Sequence, residues 1–245
     1  MKFIPSILLF FFLLSFSSCS TKTVEPELPD ANPPAPVIPE EPIPEKEKML
    51  WFDAEANFER FSKKENITYY LDLAKSTGFN KIVVDVRPVQ GDALFKSSYL
   101  TPLTDLAGIH IERDWDYLQF FIDEAHKREL KVTVSTTIFT AGLPSSKNGM
   151  AYRDDTWNGK TCLEYTKDQG LIDIKNDKTK VSAFLNPVLP EVQDFCLNFM
   201  KELVTNYDFD GFALDYCRYP GDESDFSETT KVTFEPVSYT HLRAH

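Results

Sequence analysis

From Met49 onward, short β-branched or aromatic runs alternate with longer stretches in which apolar residues recur every three or four positions. "MLWFDA" reads as a strand. Asn66 then reads as the cap of a helix over "ITYYLDLAKSTG", with Ile67, Tyr70, Leu71 and Ala74 on one stripe and Gly78 as the stop. "NKIVVDVRP" is a continuous apolar run, the pattern of a strand covered on both faces. After a long loop, Asp114 reads as the cap of "WDYLQFFIDEAHKREL", where Trp115, Leu118, Phe121, Ile122 and Ala125 align. "KVTVSTTIF" is a third strand, and residues 140–189 show no strong period. Pro190 opens a helix that places Val192, Phe195, Cys196, Phe199 and Leu203 on one face, and "DGFALDYCRYP" supplies a fourth strand.

Regular alternation of strand and helix predicts right-handed crossovers and a parallel sheet, hence an α/β fold. No glycine-rich turn follows the first strand, which disfavours a dinucleotide-binding sheet. The connections after strands two and three are long, whereas "TGFN", "KREL" and "NYDFDG", which precede strands, are short. An elaborated top face over a trimmed bottom face is the signature of a (β/α)8 TIM barrel. Four β/α units are legible, whereas such a barrel needs about 250 residues. Residues 49–236 are therefore expected to form the N-terminal half of a barrel. "VSYTHLRAH", residues 237–245, shows no continuation of the next helix and reads as a tail foreign to the fold. A half-barrel with an open edge at its fourth strand is expected to be inactive by itself and prone to aggregate.

The N-terminus carries a different pattern. Lys2, an apolar run from Phe3 to Leu14 and small residues before Cys19 predict a lipoprotein signal peptide over residues 1–19, with Cys19 as the lipid-attachment site, although Phe16 departs from the usual leucine. Residues 20–48 are rich in Pro and Glu and read as a disordered tether. The implied location is the bacterial cell envelope, with the fold held at the outer membrane or cell surface by its lipid anchor. A net charge of −12 argues against nucleic acid as a partner. Once Cys19 is set aside, three cysteines remain; an odd number without CxxC spacing predicts neither a disulfide framework nor a metal site, and Cys196 and Cys217 read as small buried hydrophobes. No cofactor is indicated.

Candidate chemistry collects where strands end. Period-two alternation sets Ala213, Asp215 and Cys217 on one face of the fourth strand and Phe212, Leu214 and Tyr216 on the other. The small face suits the barrel interior. An ionised carboxylate there is costly unless paired or used, so Asp215 reads as a catalytic or substrate-binding carboxylate, the alternative being a structural pair with Arg218, its nearest cation. On the second strand Val83, Asp85 and Arg87 share a face; Asp85 and Arg87 are close enough in sequence to neutralise one another. Gln90, Gly91 and Asp92 follow in a top loop, where a sugar hydroxyl or a second carboxylate would be met. Thr133, Ser135 and Thr137 form a small polar face on the third strand. Asp208 and Asp210 precede the fourth strand and read as turn and cap residues, and His126 as a surface residue near the bottom.

"GFNKIVVDVRPVQGDALFKSSYL", "FIDEAHKREL", "LNPVLPEVQDF" and "LVTNYDFDGFALDYCRYP" resemble successive motifs of the glycosyl-hydrolase-like family 10. The resemblance runs from about Trp51 to Asp225. It implies a glycosidase-type (β/α)8 barrel and a carbohydrate substrate, such as a surface or extracellular polysaccharide. It adds Asn186 and Tyr216 to Arg87, Gln90, Asp92 and Arg218 as substrate-binding candidates. Where the family often shows an aspartate pair this chain has Leu214-Asp215, so Asp215 alone carries over. Glycoside hydrolysis uses two carboxyl groups across the scissile bond; the partner of Asp215 is expected on a later strand. The competing reading is a non-catalytic glycan-binding or structural envelope lipoprotein.

Overall fold

A computed structural model describes residues 46–242, with side chains through residue 235. The signal segment, Cys19 and residues 20–45 of the tether lie outside the described residues. In chain order the elements are β1 (Met49–Phe52), α1 (Lys64–Ser76), β2 (Lys81–Arg87), β3 (Asp105–Leu106), β4 (Ile109–His110), α2 (Tyr117–His126), β5 (Lys131–Thr137), α3 (Met150–Arg153), β6 (Leu163–Thr166), β7 (Gly170–Asp173), α4 (Pro190–Asn206), β8 (Gly211–Asp215) and α5 (Glu228–Leu242). The main sheet is parallel, in the order β1-β2-β5-β8. Each neighbour is reached through a helical crossover, so the architecture is four successive units of a (β/α)8-type barrel.

The pleat divides the sheet into two faces. Ile82, Val84 and Val86 of β2 and Val132 and Val134 of β5 are fully buried against the helix layer. There they meet Ile67 and Leu71 of α1, Phe121 and Ile122 of α2, and Phe199 and Leu203 of α4. Fully burying each of these large side chains contributes about 2 kcal/mol. Phe52, Phe61 and Phe121 lock the first crossover together, their ring centroids 5.2–5.9 Å apart. On the opposite face the register aligns Val83, Thr133 and Gly211 at one level and Asp85, Ser135 and Ala213 at the next. That interior face is crowded: a Cβ on Gly211 would come within 2.7 Å of Thr133 Oγ1.

Helix ends follow local chemistry and correct two expected caps. α1 begins at Lys64, so Asn66 lies inside its first turn and donates to Arg60 O instead of capping. α1 ends in a Schellman turn: Gly78, at φ +85°, donates to Lys75 O, and Phe79 donates to Ala74 O. α2 is capped by Asp116, two residues after Asp114, because Asp116 Oδ1 accepts from Gln119 N. At the bottom of the sheet Asp210 accepts from Val132 N at 2.8 Å and meets His126 Nε2 at 3.0 Å, which ties the end of α2 to the start of β8.

Three further features differ from the sequence pattern. β2 carries a bulge between Asp85 and Arg87, and Arg87 consequently pairs with Thr136 on the helix-facing side. Residues 140–189 hold α3 and the β6–β7 hairpin, whose four-residue strands are too short for a period to show. The helix after β8 is present, and its backbone runs through Leu242, past the point at which the pattern breaks off at residue 237.

Candidate active site

A cleft of about 390 Å³ opens at the C-terminal ends of all four parallel strands. β1 and the turn after it contribute Trp51, Asp53 and Glu55; β2 contributes Asp85, with Pro88 and Val89 beyond; β5 contributes Thr137; and β8 contributes Asp215 and Tyr216. Sheet register explains the convergence. Asp215 pairs with Thr137 at the end of β8 and its carbonyl accepts from Ile138 N, so its half-buried side chain stands on the interior face above Ala213. The backbone then turns sharply at Tyr216, at φ +46°, and Asp215 Oδ1 accepts from the Tyr216 N–H at 2.7 Å. That turn takes Tyr216 out of the alternation that would have placed it in the helix layer. Its ring instead lies 5.8 Å from that of Phe184 and beneath the Arg218 guanidinium.

The electrostatics of the cleft are one-sided. Trp51, half exposed, donates its indole N–H to Asp85 Oδ2 at 3.0 Å. Burial raises the Asp85 pKa and the nearby Asp53 charge raises it further, against the Trp51 hydrogen bond. Glu55 keeps an accessible side chain at the rim, yet the surrounding walls, followed by repulsion from Asp53 and Asp85, push its pKa up against the Val89 backbone.

Native Asp85 therefore holds its proton to a higher pH than it does in the unfolded chain. The stability linked to that proton is fully present below the unfolded value, about 4, and is lost as pH rises through the raised value. Asp85→Asn is neutral at every pH. It is expected to match the parent in Tm at the acidic end and to exceed it above the window; superimposable Tm–pH curves would show that Asp85 carries no such cost.

Of the residues expected to bind substrate, Tyr216 shares the cleft with Asp215, and the others are engaged elsewhere. Arg87 borders the cleft, but the bulge turns its buried guanidinium under the helix layer. There it donates to Thr137 O at 2.5 Å and Thr140 O at 2.9 Å, over the Phe199 ring. The expected Asp85–Arg87 neutralisation is absent for the same reason. Gln90 is buried and donates to Asp92 and to Asp105 O, and Asp92 is held by Arg153 at 2.8 Å. Asn186 is buried and anchors the chain before α5 through Asp225 and Ser227. Arg218 is exposed and donates to Tyr219 O, not to Asp215. Cys217, expected to be buried, is exposed, whereas Cys162 and Cys196 are buried.

The carboxylates that sequence reasoning missed are Asp53 and Glu55, and Asp85 was undervalued. Their signal was positional: Asp53 and Glu55 directly follow the first strand, where a barrel places its working residues. Among the described residues, no three acidic, histidine or cysteine side chains converge to hold a metal ion.

Parallel strands that deliver acidic and aromatic side chains to one cleft at their C-terminal ends define a glycosidase-type (β/α) barrel. Residues 47–240 match the family described as Glycosyl hydrolase-like 10, and the chain belongs to that family. It is 34% identical over 198 residues to an S-layer-related protein of Niallia circulans, covering 78% of this chain and 12% of that protein. It is 30% identical over 164 residues to glycosyl hydrolase DigH of Escherichia coli K12, covering 65% and 36% respectively. The chain thus spans 36% or less of the length of these curated relatives. The PgaB (BpsB) glycoside hydrolase domain from Bordetella bronchiseptica shares the fold, with a TM-score of 0.55 at 14% identity over 78% of this chain and 50% of that one.

Proposed function

We propose that this protein hydrolyses glycosidic bonds of a surface or extracellular polysaccharide, with Asp215 as one of the two carboxyl groups that flank the scissile bond. The observation that carries this reading is the position of Asp215: last residue of the fourth parallel strand, on the interior face, in a cleft rimmed by Trp51 and Tyr216. One carboxyl group must protonate the leaving oxygen while the other attacks the anomeric carbon or activates water. The partner of Asp215 is expected on a later strand of the complete barrel. Among the described residues, Asp85 and Glu55 are the cleft carboxyls whose raised pKa values suit a proton-holding role. Attachment to the bacterial envelope through Cys19 would bring the cleft to large extracellular glycans.

The test is release of new reducing ends from bacterial envelope polysaccharide by the protein encoded by the complete reading frame. Release of reducing ends supports the reading, and its absence in the presence of tight glycan binding overturns it. The similarity to an S-layer-related protein favours, as a second reading, a glycan-binding or structural envelope protein. That reading predicts retention on the same polysaccharide with no cleavage.

A further inference from the structure

We infer that a second pocket, between the loop that follows β2 and the entrance to α2, binds a small monocarboxylate with a ring-sized body through Arg113. The pocket encloses about 320 Å³, with residues 93–96 and 102–104 on one side and residues 111–113 and 115–117 on the other. It shares no lining residue with the cleft at the strand ends, so the inference does not rest on the proposed hydrolysis. Half-buried Arg113 is the group that calls for a ligand. Its guanidinium carbon lies 5.0 Å from the centroid of the Phe58 ring and 5.4 Å from that of Tyr117. The two rings hold the group in place before any anion arrives, so little rotamer freedom remains to be lost on binding. A guanidinium has five N–H donors. Among the described residues this one makes a single hydrogen bond, from Nη2 to Phe58 O at 3.5 Å, and no ion pair.

The accessible edge of the group is the useful one. Nε is sealed without a partner, whereas Nη1, equally without a partner, is not sealed. Burial lowers the Arg113 pKa, and the opposing influence is the Tyr117 phenol, not a carboxylate. The rest of the pocket narrows the ligand. Both lining carboxylates are engaged: Asp116 accepts from Gln119 N and the Tyr207 hydroxyl, and Glu112 faces His110 Nε2 at 3.6 Å. They leave the guanidinium unanswered, yet they would repel a multiply charged anion such as phosphate. A planar carboxylate of single charge matches the Nη1–Nη2 fork. Phe95, Leu103 and Trp115 supply apolar wall for the body of the ligand. The volume, at the lower end for small-molecule sites, suits one ring. Lys96, exposed and without an ion pair among the described residues, adds a second cation to the lining.

The experiment titrates the intact protein with benzoate, its neutral isostere benzamide, galacturonate and inorganic phosphate, following heat and tryptophan fluorescence. Benzoate is expected to bind at least about tenfold more tightly than benzamide or phosphate. Galacturonate binding more tightly than benzoate supports the inference and assigns the carboxylate to an acidic sugar unit; the reverse order supports it and assigns a free aromatic acid. Arg113→Gln, checked for an unchanged circular dichroism spectrum, is expected to weaken benzoate about tenfold and to leave benzamide within about twofold, with Arg113→Lys recovering only part of the loss. The fluorescence response should vanish in Trp115→Phe. Benzamide binding as tightly as benzoate, phosphate binding more tightly, or no binding of either carboxylate would overturn the inference, and these comparisons need no variant. Undiminished benzoate binding by folded Arg113→Gln, or a fluorescence response that persists in Trp115→Phe, would overturn it as well. Glycan cleavage is read separately, and its absence leaves this site untouched.

Discussion

Asp215→Asn is expected to slow glycan cleavage by about three orders of magnitude while glycan affinity stays within about threefold. Asn is isosteric, and its amide oxygen can still accept the Tyr216 N–H that Asp215 Oδ1 accepts at 2.7 Å. The turn at Tyr216 and the pairing of residue 215 with Thr137 should therefore survive. What disappears is a group able to attack the anomeric carbon or to move a proton, and the effect should fall on kcat far more than on KM. The measurement is steady-state cleavage by the complete protein beside calorimetric binding of the same glycan, with Tm recorded to show that the variant is folded. An unchanged kcat would reduce Asp215 to a structural residue.

Arg87→Met is expected to destabilise the fold by about 3 kcal/mol. The methionine preserves the apolar stem that packs near Phe199 but removes the donors to Thr137 O, Thr137 Oγ1 and Thr140 O. Two buried backbone carbonyls, one at the end of β5 and one three residues beyond it, would then lack those donors. Burial pushes the guanidinium pKa down to about 10, so the group is charged at neutral pH, and the removed bonds are charge-assisted. Arg87→Lys should recover little, because a single ammonium cannot reproduce the fork that reaches both carbonyls. Urea denaturation of the three proteins checks this; equal midpoints would show that the guanidinium contributes nothing net.

The sheet, the helices and the inward carboxylate of β8 were legible because each rests on a period that many residues repeat. Val192, Cys196, Phe199 and Leu203 are buried as their spacing implied, and Thr133, Ser135 and Thr137 face inward. The failures come from single-residue events that no period records. One extra residue in β2 moves Arg87 from the interior to the helix side, and one left-handed residue frees Tyr216 from its expected face. The choice between Asp114 and Asp116 as cap was undecidable in "RDWDY", since it depends on which carboxylate reaches the Gln119 N–H. Gln90, Asp92 and Asn186 looked like binding residues because they are polar and lie in long loops. Their partners Asp105, Arg153 and Asp225 sit 15, 61 and 39 positions away in sequence, beyond any local pattern. Asp53 falls inside "MLWFDA", which reads whole as a strand, and Glu55 just beyond it, so neither stands out as part of the turn that begins directly after Phe52.

The loop after β8 is latched to the β6–β7 hairpin: Leu163 N donates to Asp225 Oδ1, Phe226 N donates to Leu163 O, and Glu164 bridges Ser224. Two insertions that lie far apart in the gene product thus behave as one wall. Displacing the loop around Asp225 must therefore carry the hairpin with it, so opening this side of the fold calls for tilting a preassembled panel rather than peeling back a flap. Grafting either insertion alone onto a related barrel would leave half a hinge.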